Sequence, residues 1–167
     1  MSLNFKQRLN KIKAFVFDID GVLTNGKINF HSDNSTSRSF HAKDGFALQR
    51  AIQEGFIVTI ISAAKDENLN TRFKALGLQE VYLGSLNKEE TFIEFTTVYN
   101  LQNDEVLYMG DDLPDLLAMR RAGVPCCPND AASEIREMSV YVSPFKGGEG
   151  CVRDVIEQVL RLNQKWS

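Results

Sequence analysis

These 167 residues hold no apolar run beyond strand length, so no segment is suited to span a bilayer, and no long apolar core of a secretory leader opens the chain. Basic blocks are missing as well. Lys and Arg number 19 against 22 Asp and Glu, a formal net charge of -3, which argues against nucleic acid as a partner. Cysteine is confined to Cys126, Cys127 and Cys151. An odd count with two adjacent is a poor disulfide framework, and the adjacent pair lacks the gap of a zinc knuckle, so all three read as reduced packing residues. There is no internal repeat, no low-complexity segment and no insertion as large as a second domain. Together these absences predict a cytoplasmic protein with no membrane partner, its residues 1–167 forming one domain. The opening Met1, Ser2 and Leu3 read in part as an expression remnant.

Hydrophobic residues make up 43% and charged residues 25%, enough apolar content to bury a core without staples. Short apolar runs suited to strands lie at Ala14 to Phe17, Ile57 to Ile61, Val81 to Leu83, Val106 to Met109, Val124 to Cys126 and Val140 to Val142. Amphipathic patterns suited to helices alternate with them, at about Phe46 to Glu54, Glu67 to Leu76, Glu89 to Tyr99, Leu113 to Ala122, Ala131 to Glu137 and Cys151 to Leu162. A short helix is also expected near the N-terminus. This alternation predicts an α/β domain with a mostly parallel sheet covered on both faces. One segment departs from it. From about Lys27 to His41, alternating apolar residues surround Ser32, Asp33, Asn34 and Ser35, the pattern of a β-hairpin flap.

The stretch AFVFDIDGVLTNG, Ala14 to Gly26, carries the strongest chemical signal. An apolar strand ends in Asp18 and Asp20, and Gly21 permits a turn. Residues two apart on an extended backbone point the same way, so two carboxylates meet at a half-buried site and repel. A divalent cation or a shared proton is the usual remedy. The stretch VLYMGDDLPD repeats the theme, a strand running into Asp111 and Asp112, with Asp115 close behind. In open α/β sheets ligands gather beyond the carboxyl ends of strands, so both acidic ends can serve one site. Asp18, Asp20 and Asp111 offer the oxygen donors that Mg²⁺ prefers. Asp112 and Asp115 read equally as helix caps or as outer support for those ligands. Ser62 closes the strand Ile57 to Ile61, where a serine is also an ordinary helix starter. Lys88 opens a helical segment, against the helix dipole, and a bound anion is one reason for it to stand there.

In this order, strand-DxD, strand-Ser, Lys and strand-GDDxxD, the signals resemble those of the haloacid-dehalogenase-like phosphatases over essentially the whole chain. The resemblance implies a Rossmann-like three-layer sandwich with no large cap domain. It implies that Asp18 attacks phosphorus to form an aspartyl-phosphate, that Asp20 is general acid and then base, and that Ser62 and Lys88 hold the phosphate. It further implies that Asp111, with Asp18 and the backbone carbonyl of Asp20, ligates Mg²⁺. DGVLTNG before a short flap, FHAKDG, VLYMGDD and GGEGCVRDVIEQVL are similar to the 3-deoxy-D-manno-octulosonate 8-phosphate phosphatases within that superfamily. That likeness implies a phosphorylated sugar-acid substrate in lipopolysaccharide synthesis. It also implies a homotetramer in which a neighbour's flap and mobile Gly-rich tail, from about Lys146, close the site. Lys43, Asp44, Gly147, Gly148 and Glu149 are the candidate substrate or tail residues.

The departures fall where the sugar is held. Ala63 and Ala64 follow Ser62 where many relatives have Gly-Arg, Glu149 stands where many have Arg, and Asn25 where Asp is common. Two guanidinium partners for a sugar carboxylate are thereby lost, with Lys65, Arg72 and Lys146 as possible substitutes. A nine-carbon keto sugar acid 9-phosphate is the alternative substrate, and a non-catalytic accessory domain the alternative role. A calcium loop fails because Leu23 and Asn29 occupy the positions that need Gly and Glu. A signalling receiver domain would carry its phosphoacceptor on a later strand. Elsewhere Asp44 reads first as an N-cap for the helix near Phe46, and His31 and His41 as solvated hairpin neighbours. Trp166 is expected against a partner or in solvent.

Overall fold

The computed structural model describes residues 4–167, and Met1 to Leu3, with the expression-remnant reading, lie outside them. In chain order the elements are α1 (Phe5–Leu9), β1 (Ala14–Phe17), β2 (Asn29–Phe30), β3 (Thr36–Ser37), α2 (Ala42–Gln53), β4 (Ile57–Ile61), α3 (Glu67–Ala75) and β5 (Val81–Tyr82). There follow α4 (Lys88–Val98), β6 (Val106–Met109), α5 (Leu116–Arg121), β7 (Val124–Cys127), α6 (Ser133–Met138), β8 (Tyr141–Val142) and α7 (Cys151–Leu162).

All four residues of β1 are buried, and the period of two divides them between two cores. Phe15 and Phe17 join Leu9 of α1, Leu48 of α2, Phe73 of α3 and Val155 of α7 on one face. Ala14 and Val16 join Phe92 and Phe95 of α4, Met119 of α5 and Ile135 of α6 on the other. A strand buried on both faces belongs in the middle of a sheet. The order is β5-β4-β1-β6-β7-β8, every pairing parallel, with Ala14 opposite both Ile57 and Val106. This is the three-layer α/β sandwich that the alternation predicts. The chain crosses from β1 to β4 on one side and later returns to β6 on the other, so the strand order reverses at the carboxyl end of β1.

The hairpin forms inside the expected flap, β2 pairing antiparallel with β3. α7 runs over the residues expected of it, because Cys151, Val152, Val155, Ile156, Val159 and Leu160 form one buried stripe. The three cysteines are buried free thiols. Among the described residues no helix is long and apolar enough to cross a membrane.

Four expectations need correction. α2 begins at Ala42, not near Phe46, because His41 is its N-cap, Nδ1 accepting the Lys43 N–H at 3.2 Å. Asp44 is therefore no N-cap of its own helix. The stretch from Leu113 to Ala122 is not one helix: Pro114 sits in a 3₁₀ turn, Leu113–Asp115, that leads into α5. The Gly-rich segment is docked rather than loose, the Gly148 N–H donating to the Val22 carbonyl at 2.9 Å and the Gly147 N–H to Asp130 at 2.9 Å. Lastly, Trp166 packs on its own chain, edge-on to Phe46 with ring centres 6.0 Å apart and beneath the Arg153 guanidinium at 5.2 Å.

Candidate active site

β1, β4 and β6 end side by side, and each hands over one polar residue there: Asp18, Ser62 and the Gly110-Asp111 pair. Asp18 caps the wide turn Ile19–Leu23, its Oδ1 accepting the Ile19 N–H at 2.7 Å. Its Oδ2 lies 3.0 Å from the Lys88 ammonium. Lys88, first residue of α4, is buried and also donates to Asp115 Oδ1 at 2.8 Å. Two carboxylates thus compensate a cation that the α4 dipole disfavours. Burial alone would lower the Lys88 pKa, but Asp18 and Asp115 outweigh it and the net shift is upward.

Asp115 is not a cap. It is 1% exposed, its Oδ1 also accepts the Tyr108 hydroxyl at 3.0 Å, and its Oδ2 accepts the Asp111 N–H at 3.2 Å. Burial, with the Asp115 charge beside it, pushes the Tyr108 pKa well above its usual value, so the phenol stays a donor. Asp112 is the residue that caps, its Oδ1 accepting the Leu113 N–H at 2.8 Å.

Oxygen atoms of Asp18, Asp111 and Asp115 all lie within 4.8 Å of one another. Burial, then the charge of Asp115, raises the Asp18 pKa to about 7 against the pull of Lys88. Burial, then the charge of Asp18, raises Asp111 to about 8. Two carboxylates held this unfavourably, with oxygen as the only donor type, fit a hard divalent cation such as Mg²⁺. Gly21 closes the cluster from the loop side. Its φ is +91°, and a Cβ there would overlap the Asp111 carboxylate.

Asp20 turns aside from this cluster. Its carboxylate accepts Arg38 Nε at 2.8 Å and the Arg38 terminal nitrogen at 3.1 Å, and Thr24 Oγ1 lies 3.2 Å from Oδ1. Of the two acidic side chains, Asp18 has Lys88 beside it and Asp20 has Arg38. Sequence reasoning passed over Arg38, because only the folding of the hairpin brings it to the strand end.

Ser62 is 2% exposed, and its Oγ accepts the Ala64 N–H at 3.2 Å, leaving the hydroxyl proton available to a ligand. The substrate and tail candidates are scattered. Lys43 and Glu149 line a groove of about 440 Å³ with His41, Arg153 and Arg161, apart from the acidic cluster. Asp44 is buried and accepts the Arg153 N–H at 2.8 Å, capping α7 from a neighbouring helix. Gly147 and Gly148 lie against the Gly21 to Asn25 backbone so tightly that a Cβ on either would clash. Lys65 and Lys146 are exposed, and Arg72 borders Gly45.

No family model matches the chain. Over 159 residues it is 30% identical to the 3-deoxy-D-manno-octulosonate 8-phosphate phosphatase KdsC of Yersinia pestis, covering 95% of this chain and 85% of that protein. The protein of the same name from Haemophilus influenzae is 28% identical over 162 residues, 97% of this chain and 90% of its own length. A crystal structure of the Moraxella catarrhalis 3-deoxy-D-manno-octulosonate 8-phosphate phosphatase, in complex with magnesium ion, phosphate ion and KDO, matches with a TM-score of 0.93 at 32% identity, covering 96% of this chain and 92% of that one.

Proposed function

Because this chain belongs to the 3-deoxy-D-manno-octulosonate 8-phosphate phosphatase family of the haloacid-dehalogenase-like superfamily, we propose that it hydrolyses the phosphate monoester of that eight-carbon sugar acid. The observation that carries this reading is the Lys88 ammonium 3.0 Å from Asp18 at the point where the strand order reverses. A carboxylate placed there has a fixed cation beside it, so a phosphate dianion can approach in spite of the negative charge of its attacker.

In this reading an Asp18 oxygen forms a bond to phosphorus as the bond to the sugar oxygen breaks, and Asp20 gives its proton to the leaving alkoxide. Water then attacks phosphorus, Asp20 takes the water proton, and the Asp18 carboxylate and inorganic phosphate are regenerated. Lys88 and the Ser62 hydroxyl hold the transferring oxygens. Asp18, Asp111 and the Asp20 backbone carbonyl would hold Mg²⁺, which when bound supplies positive charge opposite the phosphoryl oxygens. Asp115 spends both its oxygens on Lys88, Tyr108 and the Asp111 N–H, which suits it to fixing Lys88 and Asp111 in place.

The flap at residues 27–41, with no cap domain among the described residues, supports a homotetramer in which a neighbour completes the site. Phe30, 81% exposed on the hairpin, has apolar surface to bury against such a partner. The cytoplasm is the compartment that suits three reduced cysteines.

The test is phosphate release with Mg²⁺ from octulosonate 8-phosphate, a nonulosonate 9-phosphate and hexose 6-phosphate. The expected result is strong preference for octulosonate. Preference for the nine-carbon ester would assign the sugar instead to the consequences of Ala63, Ala64 and Glu149. Absence of release from all three would leave a binding module.

A further inference from the structure

The site divides its charges into two sets. Lys88 serves Asp18 and Asp115, whereas Arg38 serves Asp20 and stands 3.9 Å from Asp66 at the start of α3. Arg38 follows directly on β3 of the flap, where Asn29, Phe30 and Ser37 are exposed, yet its own side chain is only 8% exposed. Its planar fork meets both oxygens of Asp20, a geometry that fixes a carboxylate in direction as well as in distance. Without the fork, Asp20 keeps only the Thr24 hydroxyl, 3.2 Å from Oδ1, and a single contact does not fix the direction of the carboxyl plane.

We propose that Arg38 is a positioning residue for the reaction. The flap delivers a guanidinium that fixes the direction of the Asp20 side chain at the place from which it serves the leaving group, one arm of the fork staying on the carbonyl oxygen when the other oxygen carries the proton. The inference rests on the acid/base reading of Asp20, and it gives the flap a duty within its own subunit: the hairpin's return arm is part of the catalytic apparatus.

The test compares two esters on the full-length protein, octulosonate 8-phosphate, whose alkoxide needs a proton, and p-nitrophenyl phosphate, whose phenolate leaves without one. kcat/KM is the quantity to read, because it reports the steps through phosphoryl transfer. Arg38→Ala should lower kcat/KM for the alkyl ester by roughly tenfold or more and for the aryl ester by less than about threefold, with inhibition by inorganic phosphate unchanged. Arg38→Lys should recover only part of the loss, since an ammonium lacks the fork. Equal loss on both esters, no loss on either, or weakened phosphate inhibition overturns the proposal. Should Arg38→Ala not fold, Arg38→Lys decides alone, and a wild-type ratio between the two esters then overturns it. Asp20→Asn separates the two levels of inference. If it too spares the alkyl ester, the acid/base reading fails; if it shows the leaving-group signature and the Arg38 variants do not, only the role of Arg38 fails.

Discussion

Lys88 reaches Asp18 across 3.0 Å although one opens a helix after β5 and the other ends the central strand. The contact is buried and shared with Asp115, so the ammonium is oriented before any ligand arrives.

Asp18→Asn should abolish turnover, by more than about a thousandfold, because the amide oxygen is no nucleophile and nothing else in the cluster replaces it. The fold should survive, since the substitution removes a charge that burial opposes. Phosphate release beside a circular dichroism melt checks both halves, and appreciable residual activity would reject Asp18 as the attacking group.

The acidic cluster should make stability depend on pH and Mg²⁺ together. Unfolded, Asp18 and Asp111 ionise near 3.8; folded and without a cation they keep protons up to about 7 and about 8. The native state therefore binds more protons in that window, and this contribution falls as pH rises from about 4 to 8. Mg²⁺ binds the ionised carboxylates, so its effect on Tm should be larger at pH 8 than at pH 6. Thermal melts with EDTA or Mg²⁺ at the two pH values provide the measurement; a Mg²⁺ shift that shrinks with rising pH would contradict the cluster as its site.

Gly21→Ala should cost about 1–3 kcal/mol from its left-handed backbone alone, and more from the overlap with Asp111. Because that overlap displaces a proposed ligand, the variant should also lose much of its Mg²⁺-dependent stabilisation. Urea unfolding with and without Mg²⁺ separates the two effects, and wild-type behaviour in both would show that the loop yields freely.

Asp44→Ala should destabilise by about 1–2 kcal/mol, the worth of a helix cap, since Gly150 supplies no side chain to the start of α7. Asp44→Asn should cost less, because asparagine caps well and burial already raises the Asp44 pKa. Equilibrium unfolding in urea tests the pair, and an alanine variant as stable as wild type would remove the cross-helix cap.

Dilution should lower specific activity if a neighbouring subunit closes the site. Sedimentation run over the same concentrations would show the tetramer dissociating in step, while constant specific activity in a demonstrated monomer would end that reading.

Much of the scaffold was legible because its signals are local. β1, β4 and β6 are apolar runs cut off by polar residues, and α7 carries an uninterrupted buried stripe, so their bounds followed from pattern alone. Asp18 and Asp111 stood out for the same reason, each at the end of such a run, whereas Ser62 and Lys88 took their roles from the order of the motifs and the family it resembles. What stayed hidden depends on distance in space. Asp115 reads equally as a helix cap or as outer support until Tyr108 and Lys88 fold against it. The partnership of Asp20 with Arg38 exists only once the hairpin turns back, and Asp44 shows its purpose only when α7 arrives beside α2.

The docking of Gly147 and Gly148 on the Gly21 to Asn25 backbone bears on how the protein is made. The Val22 carbonyl, in the Asp18 loop, finds the Cys151 thiol only after 129 further residues have been made, and the Gly148 N–H only slightly sooner. β1 likewise waits for β6 before both its edges are paired. Chains halted short of Gly147 therefore leave the loop that carries Asp18 and Asp20 without its Gly-rich support, and activity should appear only once that segment has been made.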